Sequence, residues 1–181
     1  MRRIDSLCVF CGSRMGSNPR FEEIAVRLGE VFLERGVSLV YGGGRTGLMG
    51  KISDTIFKGG GEVIGVIPTF LEKLEVANTN VSELIVTDNM HNRKQIMYDR
   101  SDGFITMPGG IGTLEETFEI ATWRQLKIHS KPVIVLNVEG YWSGLSKILN
   151  EIVLSGFGSP EINELVRVVN TPEEVFKVLE N

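Results

Sequence analysis

Short apolar runs alternate along the chain with longer amphipathic segments. Runs rich in Val, Ile and Leu predict seven β-strands, at 6–12, 38–41, 62–67, 84–87, 103–107, 133–137 and 167–169. Segments with helical periodicity predict six helices, at 19–35, 47–58, 91–101, 113–126, 142–155 and 172–180. The strands are continuous apolar runs rather than alternations, which is typical of a parallel sheet covered on both faces. The β-α-β order therefore predicts a doubly wound α/β fold with helices on both faces of the sheet.

Length and charge narrow the class of protein. A chain of 181 residues without a long linker or repeat predicts one domain over 1–181. The net charge of −4 gives no basic footprint, which argues against nucleic acid as the main partner. No apolar run approaches the roughly 20 residues of a membrane span, and the N-terminus shows no signal-peptide pattern. We therefore expect a cytoplasmic protein that does not insert into membranes.

The two cysteines, Cys8 and Cys11, have the C-x-x-C spacing of a redox pair or half a zinc site. Both lie in a predicted buried strand, where residues three apart point to opposite faces. No second C-x-x-C completes a zinc site. We therefore expect buried structural thiols, in keeping with a reducing compartment, and no metal site.

Three turns rich in glycine or small residues follow predicted strands. They are Gly12-Ser13, Gly42-Gly43-Gly44 and the turn at 108–113. Ligands of doubly wound folds bind beyond the carboxyl ends of the strands. We therefore expect all three turns to face one crevice.

The second turn offers a dinucleotide hypothesis. Gly42, Gly44 and Gly47 match G-x-G-x-x-G between a strand and a helix. The acid that holds a ribose belongs at the end of the next strand, but the sequence there, 66–69, has no carboxylate. We therefore disfavour a nicotinamide cofactor and expect the protein to need no cofactor.

The third turn predicts an anion site. Pro108 closes a strand, three glycines let the backbone approach a ligand, and Thr113 opens the predicted helix. The bare N–H groups and the dipole of that helix favour a phosphate, with the Thr113 hydroxyl as an additional donor. The alternative is a tight turn without a ligand, which rarely needs three glycines in four residues.

Glu116 has two interpretations. The run Thr113-Leu114-Glu115-Glu116 fits a capping box, in which Glu116 reaches back to the Thr113 amide. Alternatively, Glu116 points into the crevice, beside the bound phosphate. The pattern alone leaves both open.

Arg93 is a cation in an unfavourable place. It lies in the first turn of its predicted helix, at or beside the apolar stripe, where the helix dipole opposes a positive charge. An anion in front of the helix removes that objection, whereas Lys94 is explained as ordinary solvated charge. The two helices follow neighbouring strands of the series, so both N-termini are expected at one crevice. We infer a phosphorylated ligand with Glu116 and Arg93 on either side of its reactive bond, and we expect His91 at the surface.

The motifs together resemble a known family. The run Pro108-Gly109-Gly110-Ile111-Gly112-Thr113-Leu114-Glu115-Glu116 is similar to the P-G-G-x-G-T-x-x-E signature of the Lonely Guy (LOG) family, cytokinin riboside 5′-monophosphate phosphoribohydrolases often mislabelled lysine decarboxylases. Met90-His91-Asn92-Arg93-Lys94 resembles the companion M-H-x-R-K element. Shorter matches follow in order at 11–13, 41–44, 47–50, 66–68, 122–123 and 131–132. The likeness extends from about residue 6 to residue 157.

The resemblance implies a single Rossmann-like domain that forms a homodimer, with sites near the subunit interface. It implies Arg93 and Glu116 as catalytic residues and a nucleoside monophosphate as substrate. It also implies substrate contacts along 110–116, namely Gly110, Ile111, Gly112, Thr113, Leu114, Glu115 and Glu116. Lys94 and Thr122 match further substrate-contacting positions, and Glu75 matches another through a loop. We expect the base near Ser13, Gly43 and Met90.

The chemistry fits these residues. Cleavage of a C1′–N9 bond builds positive charge on the ribose, and a carboxylate beside C1′ stabilises that charge or activates water. Glu116 is the predicted carboxylate, and Arg93 orients it or the ribose hydroxyls. A non-catalytic nucleotide or molybdenum-cofactor carrier on the same fold is the alternative, because a carrier needs the phosphate turn but not the carboxylate. Lysine decarboxylation is disfavoured, since no lysine lies in a Schiff-base context.

Overall fold

The computed structural model describes residues 3–180, in which seven strands form one all-parallel sheet. The strands are β1 (Ser6–Phe10), β2 (Ser38–Tyr41), β3 (Val63–Pro68), β4 (Glu83–Thr87), β5 (Gly103–Thr106), β6 (Val133–Leu136) and β7 (Arg167–Val169). Their order across the sheet is β4-β3-β2-β1-β5-β6-β7. The predicted doubly wound α/β fold and all seven predicted strands are confirmed.

Within residues 3–180, five α-helices connect strands and a sixth follows β7. They are α1 (Arg20–Arg35), α2 (Gly47–Lys58), α3 (Met90–Asp99), α4 (Ile111–Gln125), α5 (Ser143–Leu154) and α6 (Pro172–Leu179). Short 3-10 helices lie at Thr69–Leu71, Val138–Gly140 and Pro160–Glu164. The predicted helices are confirmed with one difference that affects the site: α4 begins at Ile111, two residues before the predicted start.

Two apolar clusters cover the two faces of the sheet. Along β1, Leu7 and Val9 pack into one cluster with α1, α2 and α6, whereas Cys8 and Phe10 pack into the other with α3 and α4. Cys11 lies in the cluster opposite that of Cys8. Both thiols are free and buried, and burial raises the pKa of each. The expected structural cysteines on opposite faces are confirmed.

The order in which strands are added to the sheet reverses between β1 and β5. β4 and β5 are consecutive in the chain, as predicted, but β4, which precedes α3, is the far edge strand, whereas β5, which precedes α4, adjoins β1. The connection through α3 therefore crosses back over three strands to reach β5. This crossover carries Arg93 over the ends of β2 and β3, so the N-termini of α3 and α4 approach one crevice, as expected.

None of the helices within residues 3–180 is both long and apolar enough to cross a membrane.

Candidate functional site

A cavity of about 690 Å³ lies beyond the carboxyl ends of the strands. All three turns singled out in the sequence contribute to its wall, through Gly12 and Ser13, Gly42, and the turn at 108–113. This is the position at which doubly wound sheets bind ligands, at the reversal of strand order. The expectation that the three turns share one crevice is confirmed.

The turn before α4 leaves its backbone open. Gly110 is the N-cap, and no side chain caps the helix. The first N–H groups of a helix have no intrahelical acceptor, so they remain available to a ligand. A Cβ atom on Gly110 or Gly112 would meet nothing within 4 Å. The open turn and the helix dipole have the features expected of an anion site.

The earlier start of α4 decides between the two interpretations of Glu116. Thr113 lies inside the first turn and is buried, so it is not the N-cap, and the capping-box interpretation is wrong. The Glu116 side chain, 12% exposed, instead lines the cavity and lies with Oε1 3.7 Å from Nη1 of Arg93. Glu116 therefore points into the crevice.

Arg93 is 5% exposed, and the carboxyl ends of two strands hold its guanidinium. Nε donates to the carbonyl of Val66 and Nη2 to the carbonyl of Gly42, both at 3.0 Å. A Cβ on Gly42 would overlap Nη2. Gly42 is therefore glycine because the arginine needs that space, which gives the second turn a purpose other than dinucleotide binding.

Two carboxylates flank this guanidinium. Oε2 of Glu75 lies 3.9 Å from Nη2 of Arg93, whereas Glu116 approaches the other terminal nitrogen, Nη1. Burial raises the pKa of Glu75, and it raises the pKa of Glu116 to about 7, because desolvation outweighs the opposing pull of the Arg93 charge. The site thus holds a carboxyl group that exchanges its proton near neutral pH beside a fixed cation.

Lys94 differs from its sequence interpretation. Its side chain is 9% exposed rather than solvated, and Nζ lies 2.6 Å from Glu115 and 2.9 Å from Glu119. These ion pairs join α3 to α4 directly beside the Arg93–Glu116 pair. Lys94 does not line the cavity.

The other predicted contact residues separate into two groups. Those that line the cavity are Ser13, Glu75, Met90, Gly110, Ile111, Gly112, Thr113, Glu115 and Glu116. Three do not line it: Gly43 packs against β3, Leu114 packs against the core, and Thr122 is exposed on α4. His91 is exposed, as expected.

Sequence reasoning missed several cavity residues. Met15, Phe21, Leu48 and Met49 all line the cavity, so part of its wall is apolar, as is common in small-molecule sites. Tyr141 also lines it, from the turn after β6. That turn follows a strand carboxyl end, which was the available signal, but it has no glycine cluster to draw attention to it.

No cluster of three or more His, Cys, Asp or Glu residues within 3–180 is placed to hold a metal ion.

Comparison with known proteins finds relatives over nearly the whole chain. A family model described as possible lysine decarboxylase matches residues 49–179. The cytokinin riboside 5′-monophosphate phosphoribohydrolase LOG1 of Arabidopsis thaliana is 45% identical over 175 residues, which cover 97% of this chain and 82% of that protein. LOG7 of the same plant is 43% identical over 98% of this chain and 82% of its own.

Solved structures show the same fold at lower identity. The molybdenum cofactor binding protein of Rippkaea orientalis superimposes with a TM-score of 0.73 at 23% identity, covering 99% of this chain and 98% of that one. The molybdenum cofactor carrier protein of Chlamydomonas reinhardtii gives a TM-score of 0.71 at 23% identity, over 98% and 97% of the two chains. The fold is therefore shared with carriers, whereas the sequence is far closer to the phosphoribohydrolases. The chain belongs to the LOG family.

Proposed function

We propose that this protein hydrolyses the N-glycosidic bond of a purine nucleoside 5′-monophosphate, of the cytokinin type or AMP, and releases the free base and ribose 5-phosphate. The observation that carries the proposal is the buried Arg93, placed between Glu75 and Glu116 beside the open N-terminus of α4. The names of the relatives support the same reaction.

The open turn binds the 5′-phosphate. Backbone N–H groups from Gly110 to Thr113 meet the phosphate oxygens, and the dipole of α4 favours their charge. Binding energy gathered at the phosphate fixes the ribose relative to groups deeper in the cavity, and it is remote from the bond that breaks. Glu116 lies one turn further along the same helix, so the phosphate and the carboxylate are held by one rigid element.

Glu116 acts at C1′. As the C1′–N9 bond breaks, the purine takes the electron pair and the ribose gains positive charge, which the carboxylate stabilises. The carboxylate also accepts a proton from the water whose oxygen bonds to C1′, and the departing purine anion takes up a proton from solvent to give the free base. A pKa of about 7 suits a group that takes a proton at neutral pH.

Arg93 keeps the Glu116 carboxylate available as a proton acceptor. Its charge opposes the rise in the pKa of Glu116 that burial causes. Its two hydrogen bonds to backbone carbonyls hold the guanidinium in place, with Nη1 3.7 Å from Oε1 of Glu116. Arg93 therefore orients Glu116 or the ribose hydroxyls without moving.

We propose a homodimer formed across α4. Ile111, Glu115, Thr122 and Leu126 share the outward face of this helix by helical spacing, and Ile111 and Leu126 are 82% and 65% exposed. Apolar side chains this exposed favour a protein interface. A second copy on this face would bring Thr122 near the partner's cavity, which explains why it does not reach its own.

We infer a cytoplasmic protein with a small-molecule substrate and no nucleic-acid or membrane partner. The free thiols of Cys8 and Cys11 and the net charge of −4 support this inference.

Product analysis tests the reaction. The protein is incubated with AMP and with isopentenyl-AMP, and the mixtures are separated by chromatography. We expect free base and ribose 5-phosphate from the wild type, no product from Glu116→Gln, and full activity from Glu151→Gln, the same chemical change on exposed α5. No product from either substrate, with tight binding of a phosphorylated ligand, would favour a carrier instead.

A further inference from the structure

Tyr141 holds the anion-binding turn from outside it. Its hydroxyl donates a hydrogen bond of 2.6 Å to the carbonyl of Gly109, the residue that precedes the N-cap of α4. None of the turn's own side chains does this. The contact joins the loop after β6 to the loop after β5, on the side of the cavity where the phosphate is proposed to bind.

The tyrosine ring is fixed before any ligand arrives. It packs edge-on against Phe21, with 5.4 Å between ring centroids, and against Trp142, with 4.6 Å. The Trp142 amide donates to the side chain of Asn137 at 2.7 Å, which anchors the turn that carries both aromatic residues. The hydroxyl therefore reaches Gly109 from a ring that two aromatic neighbours already hold, so the hydrogen bond costs little additional ordering.

The Gly109–Gly110 peptide needs such support. Glycine on both sides of a peptide permits it to rotate as a unit, because neither residue has a Cβ to restrict the backbone. A rotated peptide would present the Gly109 carbonyl to the anion instead of the Gly110 N–H. In a planar trans peptide the C=O and N–H point in opposite directions, so a donor that fixes the carbonyl also fixes the N–H.

We propose that Tyr141 is a positioning residue for phosphate binding: its hydroxyl holds the Gly109–Gly110 peptide so that the Gly110 N–H stays available to the substrate phosphate. The hydrogen bond also polarises the peptide and makes that N–H a stronger donor. The proposal rests on the proposed function for the identity of the phosphorylated ligand. It adds a residue that neither the glycine signature nor the Arg93–Glu116 pair contains.

Tyr141→Phe tests the proposal, since it removes the hydroxyl and keeps the ring. Binding of ribose 5-phosphate is measured by calorimetry, and thermal unfolding confirms the fold. We expect binding about three- to tenfold weaker, the effect of one net hydrogen bond. Tyr98→Phe, the same change at a ring outside the cavity, should bind as the wild type does.

Kinetics separate positioning from a general loss of structure. With AMP, Tyr141→Phe should raise KM by a similar factor and leave kcat unchanged, and hydrolysis of adenosine, which lacks the phosphate, should not change. Wild-type affinity in Tyr141→Phe, equal losses with AMP and adenosine, or a wild-type protein that does not bind ribose 5-phosphate would each overturn the proposal. If the wild type binds ribose 5-phosphate but hydrolyses neither substrate, the proposed reaction fails, and the binding comparison alone decides the role of Tyr141.

Discussion

Two glycine-rich turns precede helices at the same edge of the sheet. Protein atoms fill the space around the turn at 42–47, the closed turn, but not the space around the turn at 108–113, the open turn. Before α2, Gly44 packs against Met49 and Glu75, and a Cβ on Gly47 would overlap the backbone of Ser13. The carbonyl of Gly12 accepts the Leu48 N–H at 3.1 Å, so a protein group occupies this helix N-terminus.

Before α4, the surroundings are different. Gly110 and Gly112 face open space, and the helix has no side-chain cap. Only Gly109 is packed, against Thr113 and Gly12. Glycines of the closed turn make room for protein, whereas Gly110 and Gly112 of the open turn leave space that no protein atom fills. A glycine motif therefore indicates a binding site only when the space it creates is unfilled.

Filling the closed turn should have the largest effect. In Gly42→Ala the new methyl group overlaps the guanidinium of Arg93 and displaces it from its strand carbonyls. We expect kcat/KM for AMP to fall by about a hundredfold and the free energy of unfolding to fall by roughly 1–3 kcal/mol. Steady-state kinetics and urea denaturation measure both, and an active, equally stable variant would show that this turn does not support Arg93.

The helix after the open turn carries a destabilising charge. Six residues into α4 lies Glu116, where α2 has the buried Ile52. Because the pKa of Glu116 rises from 4.5 unfolded to about 7 folded, the folded state binds more protons between these values and stability falls as pH rises through them. At pH 8 the cost reaches at most about 3 kcal/mol.

Glu116→Gln removes that cost. We expect the variant to be more stable than the wild type at pH 8, by up to about 3 kcal/mol in urea denaturation, with the gain disappearing below pH 4.5. Glu151→Gln should show no such pH-dependent gain. A gain that persists unchanged at pH 4 would contradict the assignment of the raised pKa to Glu116.

Filling the open turn should spare the fold. In Gly112→Ala the methyl group meets no protein atom, and alanine favours the helix by up to about 1 kcal/mol. We expect unchanged or higher stability together with about tenfold weaker binding of ribose 5-phosphate, since the methyl group enters the space of the ligand. A lower free energy of unfolding with wild-type affinity for ribose 5-phosphate would contradict the distinction between the two turns.

Substitution of Glu75 should have the smallest of these effects. The loop that packs against the closed turn brings the Glu75 carboxylate to Arg93, where its charge raises the pKa of Glu116. Glu75→Gln should therefore shift the acidic limb of the kcat/KM profile for AMP to lower pH, whereas Arg93→Gln should shift it to higher pH. Shifts in the same direction would contradict the placement of Arg93 between the two carboxylates.

The sequence predicts the sheet and the open turn because both depend on local patterns. Continuous apolar runs identify the strands, and the turn at 108–113 lies in one contiguous segment. The direction of Glu116 depends on whether α4 starts at Ile111 or Thr113. Local pattern does not fix a helix start to within two residues, so only the structure decides between cap and crevice.

Contacts distant in sequence were not predictable from pattern. The sequence predicts a solvated charge at Lys94, because its ion-pair partners, Glu115 and Glu119, belong to another helix and lie far from it in the chain. Tyr141 reaches Gly109 from 32 residues away. The position of β4 at the sheet edge, with three strands between it and β5, depends on strand pairing, which strand spacing along the chain does not reveal.

The difference between the two turns can be measured directly by titrating the ¹⁵N-labelled protein with ribose 5-phosphate and following the backbone amide resonances. The largest changes should occur at Gly110, Ile111, Gly112 and Thr113, with small changes at 44–47. Changes centred on 44–47, or no change at the start of α4, would contradict the account.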